Sequence, residues 1–283
     1  MALHEEGVAR MRYAIVLDIE TTGFKSFESR IYSVHNTAVL ERPLRNLRKA
    51  SAGYETQPDE RRIDVLSDNC EVLSVGYIRI DLEEDRIFDA GILYFYRPEF
   101  KIESEAQKIH GLTREFLKQY EDKFQENLNL LESLLINSMI IGKNSEYFDI
   151  PVIEGFLQKH RGYYPLYTYV NMQGMKNYDK KKLYIVNESS SYDVQTRFAP
   201  LYRALMQKVK GVTLPGNKKG KLTDYIALLD PEGKYTQAVV DEVRSLTSGE
   251  FVESAHDAMY DAAMTLVAFR FIWAYEKKCA GNN

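Results

Sequence analysis

The sequence predicts a single α/β domain built on a mixed sheet, and three observations carry that expectation. Near the N-terminus three strand-like runs follow one another, the second and third joined by a short connection, as in a β-meander. Downstream, amphipathic helical stretches alternate with a short apolar strand, the pattern of an α/β fold. The composition of the 283 residues, 45% hydrophobic and 28% charged, is that of an ordinary globular chain long enough to bury a sizeable core. Length alone would allow two domains, but no internal repeat and no Pro/Gly/Ser-rich linker divides the chain.

Taken in order, residues 12–20 are apolar and β-branched, and Thr21-Thr22-Gly23 ends them, so they read as a strand. Met11 stands just before it, and residues 1–11 read as an N-terminal extension. Their start, Met1 to Glu6, is polar and acidic, unlike a secretory signal. Residues 71–82 and 86–97 read as the next two strands, with Asp81–Asp85 between them and Pro98 closing the second. A helix is expected over 104–120 with Ser104 as N-cap, and an amphipathic helix over 126–137. Met139–Gly142 reads as a short buried strand. Residues 150–160 read as a helix with Pro151 in its first turn. Further helices are expected over 193–209, 222–229 and 257–278; the last has Asp257 as N-cap and Lys277 and Lys278 at the negative end of its dipole. Gln195–Phe198 falls inside one of these helices and reads as packing. Two stretches fit no regular element: residues 25–70 are polar, and residues 161–192 are rich in tyrosine. Both read as insertions into one domain spanning 12–283.

The net charge of −4 hides an asymmetry. Residues 203–221 carry Arg203, Lys208, Lys210, Lys218, Lys219 and Lys221 and no acid, and residues 161–184 add Arg161, Lys176, Lys180, Lys181 and Lys182 against Asp179. A mildly acidic body with such a basic region can still bind a polyanion. No apolar run approaches the roughly 18 residues of a membrane span, so no membrane partner is expected. Cys70 and Cys279 are too few for a disulfide framework, which points to a reducing, cytoplasmic setting.

The chemistry-bearing residues form an acidic constellation. Asp18 and Glu20 lie two apart on a strand and so share a face. Two like charges at the end of an apolar strand are costly unless cations sit between them, and hard divalent ions such as Mg²⁺ take oxygen ligands. Asp149 stands between a short strand and a helix. His256 lies just before the last helix and Asp261 in its first turns, beside Ala258, Ala262 and Ala263, which leave a small face for close packing. Each alone has an ordinary explanation: a strand end meeting water, an N-cap, a loop histidine, an exposed helix acid. Together they are four carboxylates and a histidine, each at the border of a predicted element. Average residue frequencies put chance coincidence of the first and last motifs on the order of 10⁻⁴.

With these residues the sequence resembles the DEDDh group of 3′-to-5′ exonucleases, which includes proofreading subunits, RNase T and oligoribonuclease. The matching motifs are Asp18-Ile19-Glu20-Thr21-Thr22-Gly23, Asn144 through Phe148-Asp149, and His256 with Asp261, with Ile109-His110-Gly111-Leu112-Thr113 as a further likeness. The resemblance covers roughly residues 12–24, 71–160 and 193–276. It departs from the group at Lys143, where members often carry histidine, in an Asn-to-Asp spacing of five, and in the two insertions.

The resemblance implies a ribonuclease H-like mixed five-stranded sheet with helices on both faces. It implies metal-dependent 3′-to-5′ exonuclease chemistry on DNA or RNA, releasing nucleoside monophosphates by two-metal phosphodiester hydrolysis. Asp18, Glu20, Asp149 and Asp261 would hold two Mg²⁺ or Mn²⁺ ions per site, and His256 would be the general base. Backbone amides around Thr21 and Thr22 would hold oxygens of the terminal nucleotide, Phe24 stands where the group sets an apolar wedge, and His110 resembles a residue lining the terminal-base pocket. Asn144 would either position substrate or tie down its own loop. The expected partner is nucleic acid with a free 3′ end, single-stranded. Two other readings stay open: a proofreading subunit serving a polymerase, and a catalytically silent nucleic-acid-binding module.

Overall fold

The alternation of side chains along one central strand sorts the molecule into two cores. In the computed structural model, which describes residues 12–23, 70–136, 138–145, 148–162, 167–171, 182–186, 191–215, 220–247 and 256–280, strand β1 (Tyr13–Thr21) pairs antiparallel with β2 (Val72–Asp81). β2 in turn pairs antiparallel with β3 (Arg86–Tyr94). On its other side β1 runs parallel to β4 (Met139–Gly142), and β4 runs parallel to β7 (Ser191–Asp193). The sheet order is β3-β2-β1-β4-β7. This is the mixed five-stranded, ribonuclease H-like arrangement that the sequence led us to expect.

Ala14 and Val16 of β1 turn to one face with Ile78, Met139 and Ile141. There they meet α5 (Val194–Lys210), α6 (Leu222–Leu229), α7 (Lys234–Leu246) and α8 (Ala258–Ala280). Ile15, Leu17 and Ile19 turn to the other face with Val75 and Ile140, against α3 (Phe124–Leu135) and α4 (Asp149–Arg161). Both faces of β1 are therefore apolar, as a strand sandwiched between helices requires. The period-2 alternation sends Asp18 and Glu20 to the α8 side.

Several expectations are corrected. The helix read over 104–120 is interrupted at Gly111, which is left-handed (φ 75°), so α1 (Ser104–His110), α2 (Arg114–Leu117) and a 3₁₀ turn (Lys118–Tyr120) replace it. Ser104 does not cap α1: it is the first helical residue and its hydroxyl donates to Glu105. Thr113 caps α2 instead, accepting from the Phe116 amide at 3.1 Å. The third strand stops at Tyr94, short of residue 97. α7 was not anticipated. The tyrosine-rich stretch is not wholly irregular: β5 (Tyr167–Asn171) and β6 (Lys182–Val186) pair antiparallel, and Ser191 and Tyr192 belong to the main sheet. Gln195–Phe198 forms the start of α5, with Phe198 fully buried against Tyr202 and Tyr225, as packing demands. The extension over 1–11 and the predicted insertion up to residue 69 lie outside the described residues.

One position fixes how closely α8 meets the sheet. Gly76, paired with Asp18, has the backbone of Ala258 and Met259 directly above it, so that a Cβ there would lie 2.3 Å from the Ala258 carbonyl carbon. Gly76→Ala should therefore lower stability by about 1–3 kcal/mol, the usual cost of overpacking. Gly91→Ala, whose Cβ would meet only the far end of the Tyr77 side chain, should cost less. Denaturant melts of the two variants check this, and an equal loss in both would remove Gly76 from its special place.

Candidate active site

Asp18 and Glu20 leave the sheet where β1 runs out, facing the first turn of α8. Glu20 lies opposite Ser74 of β2, and the register shifts between Glu20 and Thr21, which ends the regular ladder at the acids. α8 is started by Asp257, whose Oδ1 accepts from the amides of Met259 (3.0 Å) and Tyr260 (3.1 Å), as expected of an N-cap. Just before it His256 adopts a left-handed backbone (φ 68°), and its amide donates to Asp261 Oδ2 at 3.2 Å. The main chain at His256 thus orients the Asp261 carboxylate, and the exposed His256 also acts on it electrostatically.

Asp149 arrives from the opposite layer. It is the first residue of α4 and not its cap, and its side chain is almost fully buried. Its own amide and that of Ile19, between the two β1 acids, hydrogen-bond the carboxylate and partly offset the cost of burial. The turn that delivers it is tight. Gly142 has no room for a Cβ against Ser145, Asn144 is left-handed (φ 62°), and the Phe148 and Ile150 amides return to the Asn144 and Ser145 carbonyls. Asn144 Oδ1 accepts from Gln195 Nε2 at 3.0 Å, so Asn144 ties its loop to α5.

Burial raises the pKa of all four acids, and at Asp18 and Glu20 the neighbouring acids add to it. Burial, then Asp149, Asp261 and Glu20, hold Asp18 well above the usual carboxylate range. Glu20 is raised to about 8 by burial and by Asp261, Asp149 and Asp257. Asp149 is raised to about 7, mainly by burial and by Asp193. Asp261 is raised by burial and Asp257, with His256 and Lys143 opposing. A set of only oxygen donors that repel one another suits a hard divalent cation. As the side chains stand, however, no three His, Cys, Asp or Glu residues among those described are placed to hold one ion.

Between the sheet and the start of α8 lies a small cleft, open to solvent and lined by Glu20, Ser74, Ile92, Tyr94, His110, Leu112, His256, Asp257 and Ala258. His110 Nδ1 accepts from the Leu112 amide at 3.0 Å. Its proton in the neutral form therefore sits on Nε2, which is buried and short of a completed hydrogen bond. Burial lowers the His110 pKa; the nearby Thr21 backbone raises it and His256 lowers it further.

The structure thus brings Asp18, Glu20, Asp149, Asp261, His256 and His110 to one place. Thr21 and Thr22 are buried beside it. The Thr22 amide is already bonded to the Glu71 carbonyl at 2.9 Å, which corrects the expectation that it receives substrate oxygens. Phe24 lies outside the described residues. The sequence reading passed over Gly76, Asp193 and the part played by Asp257 beside Glu20. Lys143 was noted only as a departure from a motif.

No family model matches the chain, and no curated protein matches it. Among solved structures, it is similar to Exonuclease I of E. coli in complex with a dT13 oligonucleotide. The TM-score is 0.48 at 14% identity, over 95% of this chain and 43% of that one. It is similar to a product-bound exonuclease I (TM-score 0.47, 13% identity, 95% of this chain and 45% of that one). It is also similar to cell-death related nuclease 4 (TM-score 0.45, 10% identity, 94% and 65%). The chain spans less than half the length of the exonuclease I chains it matches.

The raised carboxylates have a consequence for stability. Their folded pKa values lie above the ordinary 3.8 and 4.5, so the folded state binds more protons than the unfolded one between those values and about 8. Stability in chelator should therefore fall as pH rises from about 4 to 8. Asp149→Asn should raise the melting temperature at pH 8 in chelator by several degrees, at roughly 2–4 °C per kcal/mol. Scanning calorimetry across pH checks both, and a flat profile would mean that the acids do not crowd one another.

Proposed function

We propose that the chain is a divalent-cation-dependent 3′-to-5′ exonuclease that hydrolyses single-stranded DNA or RNA to nucleoside monophosphates. One observation carries the reading: four carboxylates from three separate segments converge at the end of β1, where Asp149 and Asp261 raise the pKa of Asp18 and Glu20, with an exposed histidine at their lip. The motif resemblance supports the same chemistry. Asp18, Glu20, Asp149 and Asp261 would hold two Mg²⁺ or Mn²⁺ ions, and the mutual repulsion of the acids is what such ions relieve. When bound, the ions stabilise charge on the attacking and leaving oxygens.

The remaining work belongs to the chain. His256, solvent-facing beside Asp261, would take the proton of the attacking water, and Asp261, held by the His256 amide, keeps the two in register. His110 would offer its Nε2–H to an oxygen of the substrate's terminal nucleotide from the cleft wall. Lys208 and Lys210, exposed at the end of α5, lie in the basic stretch that would attract the phosphate backbone.

The test uses matched single-stranded and duplex DNA and RNA, labelled at either end, with Mg²⁺, Mn²⁺ or chelator. Stepwise loss from the 3′ end is expected only with metal. Asp18→Ala should abolish it, and His256→Ala should slow it roughly 10²–10⁴-fold. Full hydrolysis in chelator or in Asp18→Ala would overturn the assignment. Binding without hydrolysis by the wild type under every condition would favour the silent module.

A further inference from the structure

The register of β4 against β1 sets a lysine among the acids. Ala14 pairs with Met139 and Val16 with Ile141, and Lys143 follows directly on the last residue of β4, so that the same register carried two residues past the last pair would set Lys143 level with Asp18. Met139 and Ile141 share the α8-facing core with Ala14 and Val16, and Lys143, two residues on from Ile141, acts on Asp261 of α8. The main chain around it is fixed. Gly142 pairs with Asp193 and packs on Ser145, and Asn144 is bonded to Gln195. Lys143 is half-buried. Its charge opposes the raised pKa of Asp18, Asp149 and Asp261, and it is absent from the influences on Glu20, on the β2 side. A lysine waving in solvent would not reach three acids from three segments.

We propose that Lys143 is a working cation of this site: it weakens the hold of the carboxylates on divalent cations and strengthens the hold of the loaded site on the substrate phosphodiester. The proposal rests on the cation-dependent reading given above. Four carboxylates and two divalent ions cancel in charge, and Asp193 and Asp257 beside them add negative charge, which would leave the loaded site unfavourable to an anionic substrate. Lys143 offsets part of that charge and supplies a cation toward the single negative charge of the phosphodiester to be cut. Without ions, the same lysine offsets part of the repulsion among the acids and so competes with any cation that enters. The two effects have opposite signs, and that opposition separates them from a folding lesion.

The experiment compares the full-length wild type, Lys143→Met and Lys143→Arg. Titration calorimetry measures Mn²⁺ binding without substrate. Fluorescence anisotropy measures binding, at saturating Mn²⁺, of oligonucleotides in DNA and RNA form whose last linkage is a phosphorothioate. Lys143→Met should bind Mn²⁺ on the order of tenfold more tightly and the oligonucleotide on the order of tenfold more weakly, since a unit charge coupled to the acids of a partly buried site acts at that scale. Lys143→Arg should stay near wild type in both. Unchanged affinities in Lys143→Met, or losses of both together, would overturn the proposal while leaving the cation-dependent reading intact. A wild type that binds no Mn²⁺ would overturn that reading itself, and this proposal with it.

Discussion

The absence of a side chain at Gly76 governs the geometry of the whole centre. The strand pair β1–β2 sets Gly76 opposite Asp18, and the first turn of α8 rests on that gap at backbone contact. Ala258, Ala262 and Ala263, all buried, keep the helix face equally thin. An α8 held farther away would still bury its apolar residues, but Asp261 would ride with it away from Asp18. The separation of acids on two different elements is thus set by atoms that are missing, a close packing that tolerates little adjustment.

The acids themselves work against the fold. Like charges in partly buried surroundings cost free energy, and here the cost is met by two apolar layers, one on each side of β1. The four acids sit where those layers meet. Asp18, Glu20 and Asp261 belong to the α8 side, while Asp149 comes from the α4 side and reaches through to the amide of Ile19. A chain under pressure only for stability would not keep such a set, and strongly perturbed carboxylates gathered beside a cleft are a physical mark of a working site.

How much of this was legible in the sequence follows from what each feature depends on. β1, β2, α4 and α8 carry strong periodicity and end signals, and they were read within a few residues of their limits. β7 is three residues long, too short for any period, and its place in the sheet comes only from non-local pairing with β4. α7 has Val239, Val240 and Val243 as its fully buried positions and no capping side chain at Gly233, so its stripe is narrow and its start unmarked. The break at Gly111 needed no proline, only a left-handed glycine. The acids were legible because each borders an element and the order is distinctive. Gly76 and Lys143 were not, because their meaning lies in register: one must face a helix start, and the other must stand beside Asp18.

The two histidines at the cleft show how the same residue type is given different chemistry by its backbone. In His110 the Nδ1 lone pair is occupied by the Leu112 amide, and burial lowers its pKa, so the neutral ring presents Nε2–H and can only donate. His256 is exposed and left-handed, and it commits its main-chain amide, rather than its ring, to Asp261. A ring that has spent its acceptor cannot serve as a base, whereas the His256 ring is not committed to Asp261 by a hydrogen bond, which the proposed base role requires. Hydrogen bonding within the fold therefore suits the two rings to the different roles proposed for them.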